Sequence, residues 1–146
     1  PAEVIAGNKL YTALDPDGFL FAIISSSMFI TWQRAVGGRL KSDLNFSNTV
    51  VWNNLPLPEV AEDLRSKIIT AGQKNLEVRE ALAEKHGGRV SLADMYNPLA
   101  MNAELLKAHK ELDRHVDKAF GAAMLCASNN KRLEILFARY AGLTAE

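Results

Sequence analysis

Asn54-Leu55-Pro56-Leu57-Pro58 divides this 146-residue chain into a mixed part and a helical part. Proline fixes φ and removes an amide donor, so two prolines this close disfavour both a helix interior and a central strand. Upstream, residues 18 to 36 read as one largely buried helix, stopped by Gly37-Gly38. Phe46 to Asn53, rich in β-branched and aromatic side chains, reads as a strand. Downstream everything reads as helix. Glu59, Glu62 and Asp63 complement the dipole at the start of a long helix, and Lys85-His86 precede Gly87-Gly88 at its end. Leu64, Ile68, Ala71 and Leu82 keep helical spacing on it, with Gly72 weakening its middle. Ser91 to Tyr96 forms a short helix ended by the Asn97-Pro98 turn.

Asn102 is placed as the N-cap of a second long helix, with Leu105, His109, Leu112, Val116 and Phe120 on one face. Ser128 or Asn129 caps a last helix that turns Leu133, Leu136, Phe137 and Tyr140 inwards. The expected fold class is α+β, mainly α: a buried helix and a short strand segment followed by a small helical bundle.

Seventeen basic residues balance seventeen acidic ones, so any nucleic-acid surface must be local. Between Arg34 and Asp43 the balance is Arg34, Arg39 and Lys41 against one carboxylate, a small positive patch. The single Cys126 excludes an internal disulfide and, with three histidines, any familiar zinc site. An intracellular setting follows. Phe19 to Trp32 is the one membrane-like run, but it falls short of the roughly 20 apolar residues a span needs and carries three serines. A buried helix and no membrane partner are expected. The chain begins at Pro1 with no signal-like segment, which suggests a piece of a longer protein.

The segment Gly37-Gly38-Arg39-Leu40-Lys41-Ser42-Asp43 holds the most suggestive chemistry. A lysine can donate to the major-groove acceptors of guanine, and an aspartate can accept from the amino group of the paired cytosine. Lys41 and Asp43, two residues apart, could read both halves of one G·C pair. An exposed loop with two unrelated charges is the plainer alternative on this chemistry alone.

A wider set of motifs weighs against that alternative. They begin with Ser25-Ser-Ser-Met-Phe29, Trp32, Arg34 to Asp43, Phe46-Ser-Asn-Thr49 and Trp52-Asn-Asn-Leu-Pro56. They continue with Leu76-Glu-Val-Arg79, Ser91 to Pro98, Ala108-His109, Leu112-Asp113, Val116 to Gly121, Arg132 to Phe137 and Tyr140. In this order the chain resembles the C-terminal end of the MmeI-like type II restriction-modification DNA methyltransferases. In that family a nuclease, an adenine methyltransferase and a target-recognition domain are followed by a helical tail.

The resemblance implies that residues 1–58 end a target-recognition domain and residues 59–146 form the helical C-terminal domain. It implies that Lys41 and Asp43 help choose one base pair of double-stranded DNA, while Arg39 and Arg34 hold the DNA backbone. The parent enzyme would use S-adenosylmethionine and Mg2+ in the bacterial cytoplasm, with an upstream methyltransferase domain of the same chain as partner. The family's methyl-transfer motif is of the Asn-Pro-Pro-Tyr type. Asn97-Pro98-Leu99-Ala100 lacks the second proline and the aromatic, so it reads as a turn. No residue here is assigned to catalysis or to a metal.

Other residues have plainer readings. His109 is expected as a hydrogen-bonded core histidine. Asp113 and Asp117, interleaved with Lys110, Arg114 and Lys118, read as a solvated, salt-bridged face, and Lys131-Arg132 as a solvated helix start. Trp32 and Trp52 read as core, Ser25-Ser26-Ser27 as a site of close helix packing, and Cys126 as an unactivated thiol. The leading function is therefore sequence recognition and bracing within a methyltransferase-endonuclease. The alternative is a helical interaction or scaffold module without DNA readout, favoured by the neutral charge and the amphipathic faces.

Overall fold

The computed structural model describes residues 7, 10–40 and 43–145, without the side chain of Leu40. The elements run α1 (Phe19–Ile24), α2 (Ser27–Val36), β1 (Gly38–Leu40), β2 (Asp43–Asn45), a π-helical turn (Asn48–Trp52), α3 (Glu62–Lys85), α4 (Leu92–Met95), α5 (Ala103–Ala119) and α6 (Asn129–Thr144). The class is α+β, mainly α, as expected.

Two local readings are corrected. The expected helix over residues 18 to 36 is two helices. Ser26 ends one and starts the other: its hydroxyl donates to the Ile23 carbonyl at 2.6 Å and accepts from the Phe29 amide at 3.3 Å. This N-cap geometry competes locally with helix continuation. The serine triplet therefore breaks the helix rather than merely easing its packing.

The strand expected over residues 46 to 53 is a π-helical turn, and the strands lie just before it. Ser47 caps the turn through the Val50 amide, and Asn54 Nδ2 donates to the carbonyls of Thr49 and Val50. Val51 is buried, and its carbonyl accepts from Trp32 Nε1 at 2.8 Å. These cap and tertiary contacts outweigh the β preference of Thr49-Val50-Val51.

At α1 the start is made by Gly18, whose φ of 82° is the left-handed conformation glycine adopts freely. The first amides are satisfied from upstream, by Asp15 to Leu20 and Phe21 and by Asp17 to Phe19. Asp17 also receives Arg65 of α3 at 2.7 Å, which holds its carboxyl below the usual range.

Next to that bridge α1 and α3 touch very closely. A methyl group on Gly72 would meet Ala22 Cβ at 2.6 Å. The glycine that weakens the helix intrinsically is what lets the two backbones approach.

The remaining helices follow their sequence signals. Ser91 and Asp94 form a capping box, Asn102 caps α5, and Ser128 caps α6. On α5, Leu105, Leu112, Val116 and Phe120 are buried and His109 is half-buried. On α6, Leu136 is buried, Leu133 and Tyr140 are half-buried, and Phe137 is 48% exposed.

The main core mixes the two sides of the proline segment. Phe19, Ile23, Met28, Trp32 and Val51 pack with Ile68, Leu112, Val116, Phe120 and Leu136. Pro56 itself is buried, and its carbonyl accepts from Arg139 Nε of α6 at 3.2 Å. A smaller cluster of Val78, Met95, Leu105 and Ala108 holds α3, α4 and α5 together at the other end. Among the described residues no helix is long and apolar enough to cross a membrane.

Candidate nucleic-acid interface

The segment singled out for its charges lies on an antiparallel hairpin, with Gly38 opposite Asn45, Arg39 opposite Leu44 and Leu40 opposite Asp43. Residues 41 and 42 lie outside the described residues, so the expectation for Lys41 does too. Arg39 and Asp43 are exposed. No hydrogen bond or ion pair ties the side chain of Arg34, Arg39 or Asp43 to another described residue. Three charged groups so placed can meet a charged ligand without first breaking a side-chain bond to another described residue.

The hairpin grows directly from the end of α2. Gly37 is extended, with φ −73°, so its requirement for glycine is one of space rather than of φ: a Cβ would collide with the Gln33 carbonyl. At the base of the hairpin, just past Asn45, Phe46 stacks edge-on with Tyr11 at 5.4 Å and lies 6.4 Å from Phe29. An apolar groove of about 560 Å³ runs below, lined in part by Tyr11, Leu20, Ile24, Phe29, Phe46 and Trp52. Trp32, in the middle of α2, is wholly buried against Phe137 and Tyr140, while Trp52 is half-buried.

Arg34 faces a second groove, of about 440 Å³, along the flank of α2. Ser25, Lys110, His109 and Asn129 share it. His109 Nε2 and Tyr96 Oη are 2.7 Å apart, and Tyr96 Oη accepts from Arg79 Nε at 2.7 Å. Burial, then the charge of Arg79, push the His109 pKa down, with Asp113 opposing. The expected hydrogen-bonded histidine is thus found, although at the edge of the core.

Asp113 also lines this groove, and behind it two readings are overturned. Asp113 and Asp117 are not a solvated face, and Arg132 is not a solvated helix start: all three are buried. Arg132 Nε and Nη2 donate to the two oxygens of Asp117, each at 2.9 Å, and Nη2 lies 3.7 Å from Asp113. The Cys126 amide also donates to Asp117, at 2.8 Å. Burial works against the Arg132 charge, yet the two carboxylates hold its pKa above the ordinary value.

The Cys126 thiol is pushed up by burial and by Asp117, which leaves it protonated and unreactive. Asp113 turns the other way and accepts from the Ser27 amide at 2.7 Å and the Ser27 hydroxyl at 2.6 Å. The signal for this seam was present in the sequence. Each aspartate directly follows a residue of the buried α5 stripe, Leu112 or Val116, and so sits on its margin. Among the described residues no group of three or more His, Cys, Asp or Glu is placed to hold a metal.

Family models for the MmeI target recognition domain and the MmeI C-terminal domain match residues 1–59 and 60–146 respectively. DNA methyltransferase A of Bacillus subtilis (strain 168) is 36% identical over 143 residues, which is 98% of this chain and 16% of that protein. The type IIL restriction-modification enzyme MmeI, solved in complex with DNA, superposes with a TM-score of 0.79 at 33% identity. That match covers 92% of this chain and 17% of the MmeI chain. This chain thus spans about a sixth of the length of the relatives it matches. With one family model over the hairpin half and another over the helical half, the chain belongs to the MmeI family.

Proposed function

We propose that this chain reads DNA sequence for a larger restriction-modification methyltransferase, with residues 1–58 ending its recognition domain and residues 59–146 bracing it. The observation that carries this reading is the hairpin: two three-residue strands, held at the end of a buried helix, that leave Arg39 and Asp43 exposed. Its support is the 33% identity to a protein solved with DNA.

In this reading Asp43 accepts from a cytosine amino group and Lys41 donates to the paired guanine, so the two together read one base pair. Arg39 and Arg34 hold phosphates, which fix register without choosing sequence. Methyl transfer needs S-adenosylmethionine, supplied on the methyltransferase domain of the parent, and cleavage needs Mg2+. The side chains described here gather no donor set for the metal, and no step of either reaction is assigned to them.

Competition binding of the full-length protein, against duplexes varied at single base pairs over a range of salt, tests the assignment. Lys41→Ala should relax preference at one position by about 1–3 kcal/mol. Arg39→Ala should weaken every duplex alike and make the salt dependence shallower by about one phosphate's contribution. Uniform weakening by Lys41→Ala would make Lys41 a phosphate contact. Binding indifferent to both substitutions would leave a helical interaction module in place of a reader.

A further inference from the structure

We propose that Asp113, in the helical half, is a positioning residue for base readout by the hairpin. It acts by clamping the far end of α2 through Ser27. This inference rests on the reading of the hairpin given above.

Four observations lead to it. Both oxygens of Asp113 are spent on one residue, the Ser27 amide at 2.7 Å and its hydroxyl at 2.6 Å, across 86 positions of sequence. Ser27 is the first residue of α2, where free amides and the helix dipole favour a carboxylate. Asp113 is itself held: Arg132 lies 3.7 Å away and is locked in turn by the bidentate pair with Asp117. Finally, the last residue of α2 and the first of β1 are separated only by Gly37.

Helix α2 therefore behaves as a rod with a fixed point near Trp32, which is buried and bonded through Nε1 to the Val51 carbonyl. Ser27 stands five residues, about 7.5 Å, on one side of that point. The hairpin stands a comparable or greater distance on the other side. A shift at the clamp is passed to the hairpin at similar or larger amplitude. Hydrogen bonds to bases tolerate only a few tenths of an ångström, since donor–acceptor distances span about 2.7–3.2 Å. Phosphate contacts from long, exposed cations such as Arg39 tolerate more. Loosening the clamp should therefore erode discrimination between base pairs while leaving overall, salt-dependent affinity in place.

The test compares Asp113→Asn, Ser27→Ala and Ser27→Thr in the full-length protein. The readouts are the ratio of affinities for the preferred and the substituted base pair, the salt dependence of binding, and the Tm. Asp113→Asn and Ser27→Ala should each lower the ratio by about 3–10-fold, a part of the roughly 1–3 kcal/mol a base contact contributes. The salt dependence should not change. Ser27→Thr, which keeps the hydroxyl, should restore the ratio.

An unchanged ratio with a lowered Tm would make Asp113 a stability contact only and overturn the proposal. So would uniform weakening with a shallower salt dependence. If Asp113→Asn fails to fold, Ser27→Ala and Ser27→Thr decide on their own. Exchanging Lys41 and Asp43 in the same assay separates the two claims. If the exchange alters one base pair and the clamp variants alter none, positioning fails and readout stands. If the exchange alters nothing, both fall.

Discussion

The two ends of α2 treat charge in opposite ways. Beyond its C-terminal end Arg39 and Asp43 stand in solvent on strands of three residues. At its N-terminal end Asp113, Asp117 and Arg132 are buried, with their oxygens and nitrogens bonded to one another, to Ser27, to Cys126 and to Asn129. Charges meant for a ligand must keep their hydration until the ligand replaces it. Charges that fix geometry must be desolvated and fully bonded, because a buried charge left without its partner is costly. The hairpin should therefore be nearly irrelevant to stability and decisive for recognition, and the seam the reverse.

The strongest challenge to that contrast is Asp117→Ala, which strips Arg132 of its bidentate partner while leaving it 6% exposed. It should cost about 3–5 kcal/mol, read by urea denaturation. A loss below about 1 kcal/mol, the range of surface pairs, would erase the distinction.

A smaller effect is expected at the α1–α3 contact. Gly72→Ala gains about 1 kcal/mol of helix propensity but drives a methyl into Ala22. With overpacking at about 1–3 kcal/mol, the net change should be a destabilisation of about 1 kcal/mol, relieved by adding Ala22→Gly. Smaller again, Asp43→Ala should move stability by no more than about 0.5 kcal/mol, as for a surface position, while changing base preference.

The least effect concerns pH. The His109 pKa lies below its ordinary value of 6.5, so the unfolded chain binds the proton more tightly. The stability linked to it is whole above that ordinary value and is lost as pH falls through it towards the folded value. Tm measured from about pH 7.5 down to about pH 5.5 should fall more for the parent sequence than for His109→Gln.

What could be read in the sequence was what is local. Ser91, Asn102 and Ser128 announce their helices because a cap needs only its own first turn, and the α5 stripe is a matter of spacing alone. Val51 misled for the opposite reason: its conformation answers to a contact from another element, and a run of β-branched residues says nothing of a tryptophan indole waiting for a carbonyl. Ser26 was as local as the caps, bonded to Ile23 and Phe29, but an apolar run on both sides of it masked the break.

The candidate site divides along the same line. The exposed charges of the hairpin could be named from chemistry and from the family's order of motifs. The partners within the seam could not, because Asp113 finds Ser27 across 86 residues and Arg132 comes from another helix. Arg114 between the aspartates, with Lys110 and Lys118 on either side, made the solvated reading natural, although Leu112 and Val116 beside them marked the margin of the core.

The central claim is that the hairpin reads one base pair. Its most direct test is to map methylated adenines produced by the full-length methyltransferase proposed above, with and without exchange of Lys41 and Asp43. The expected result is a motif altered at a single base pair, its other positions and the Tm unchanged. A motif identical at every position after the exchange would contradict readout by this hairpin.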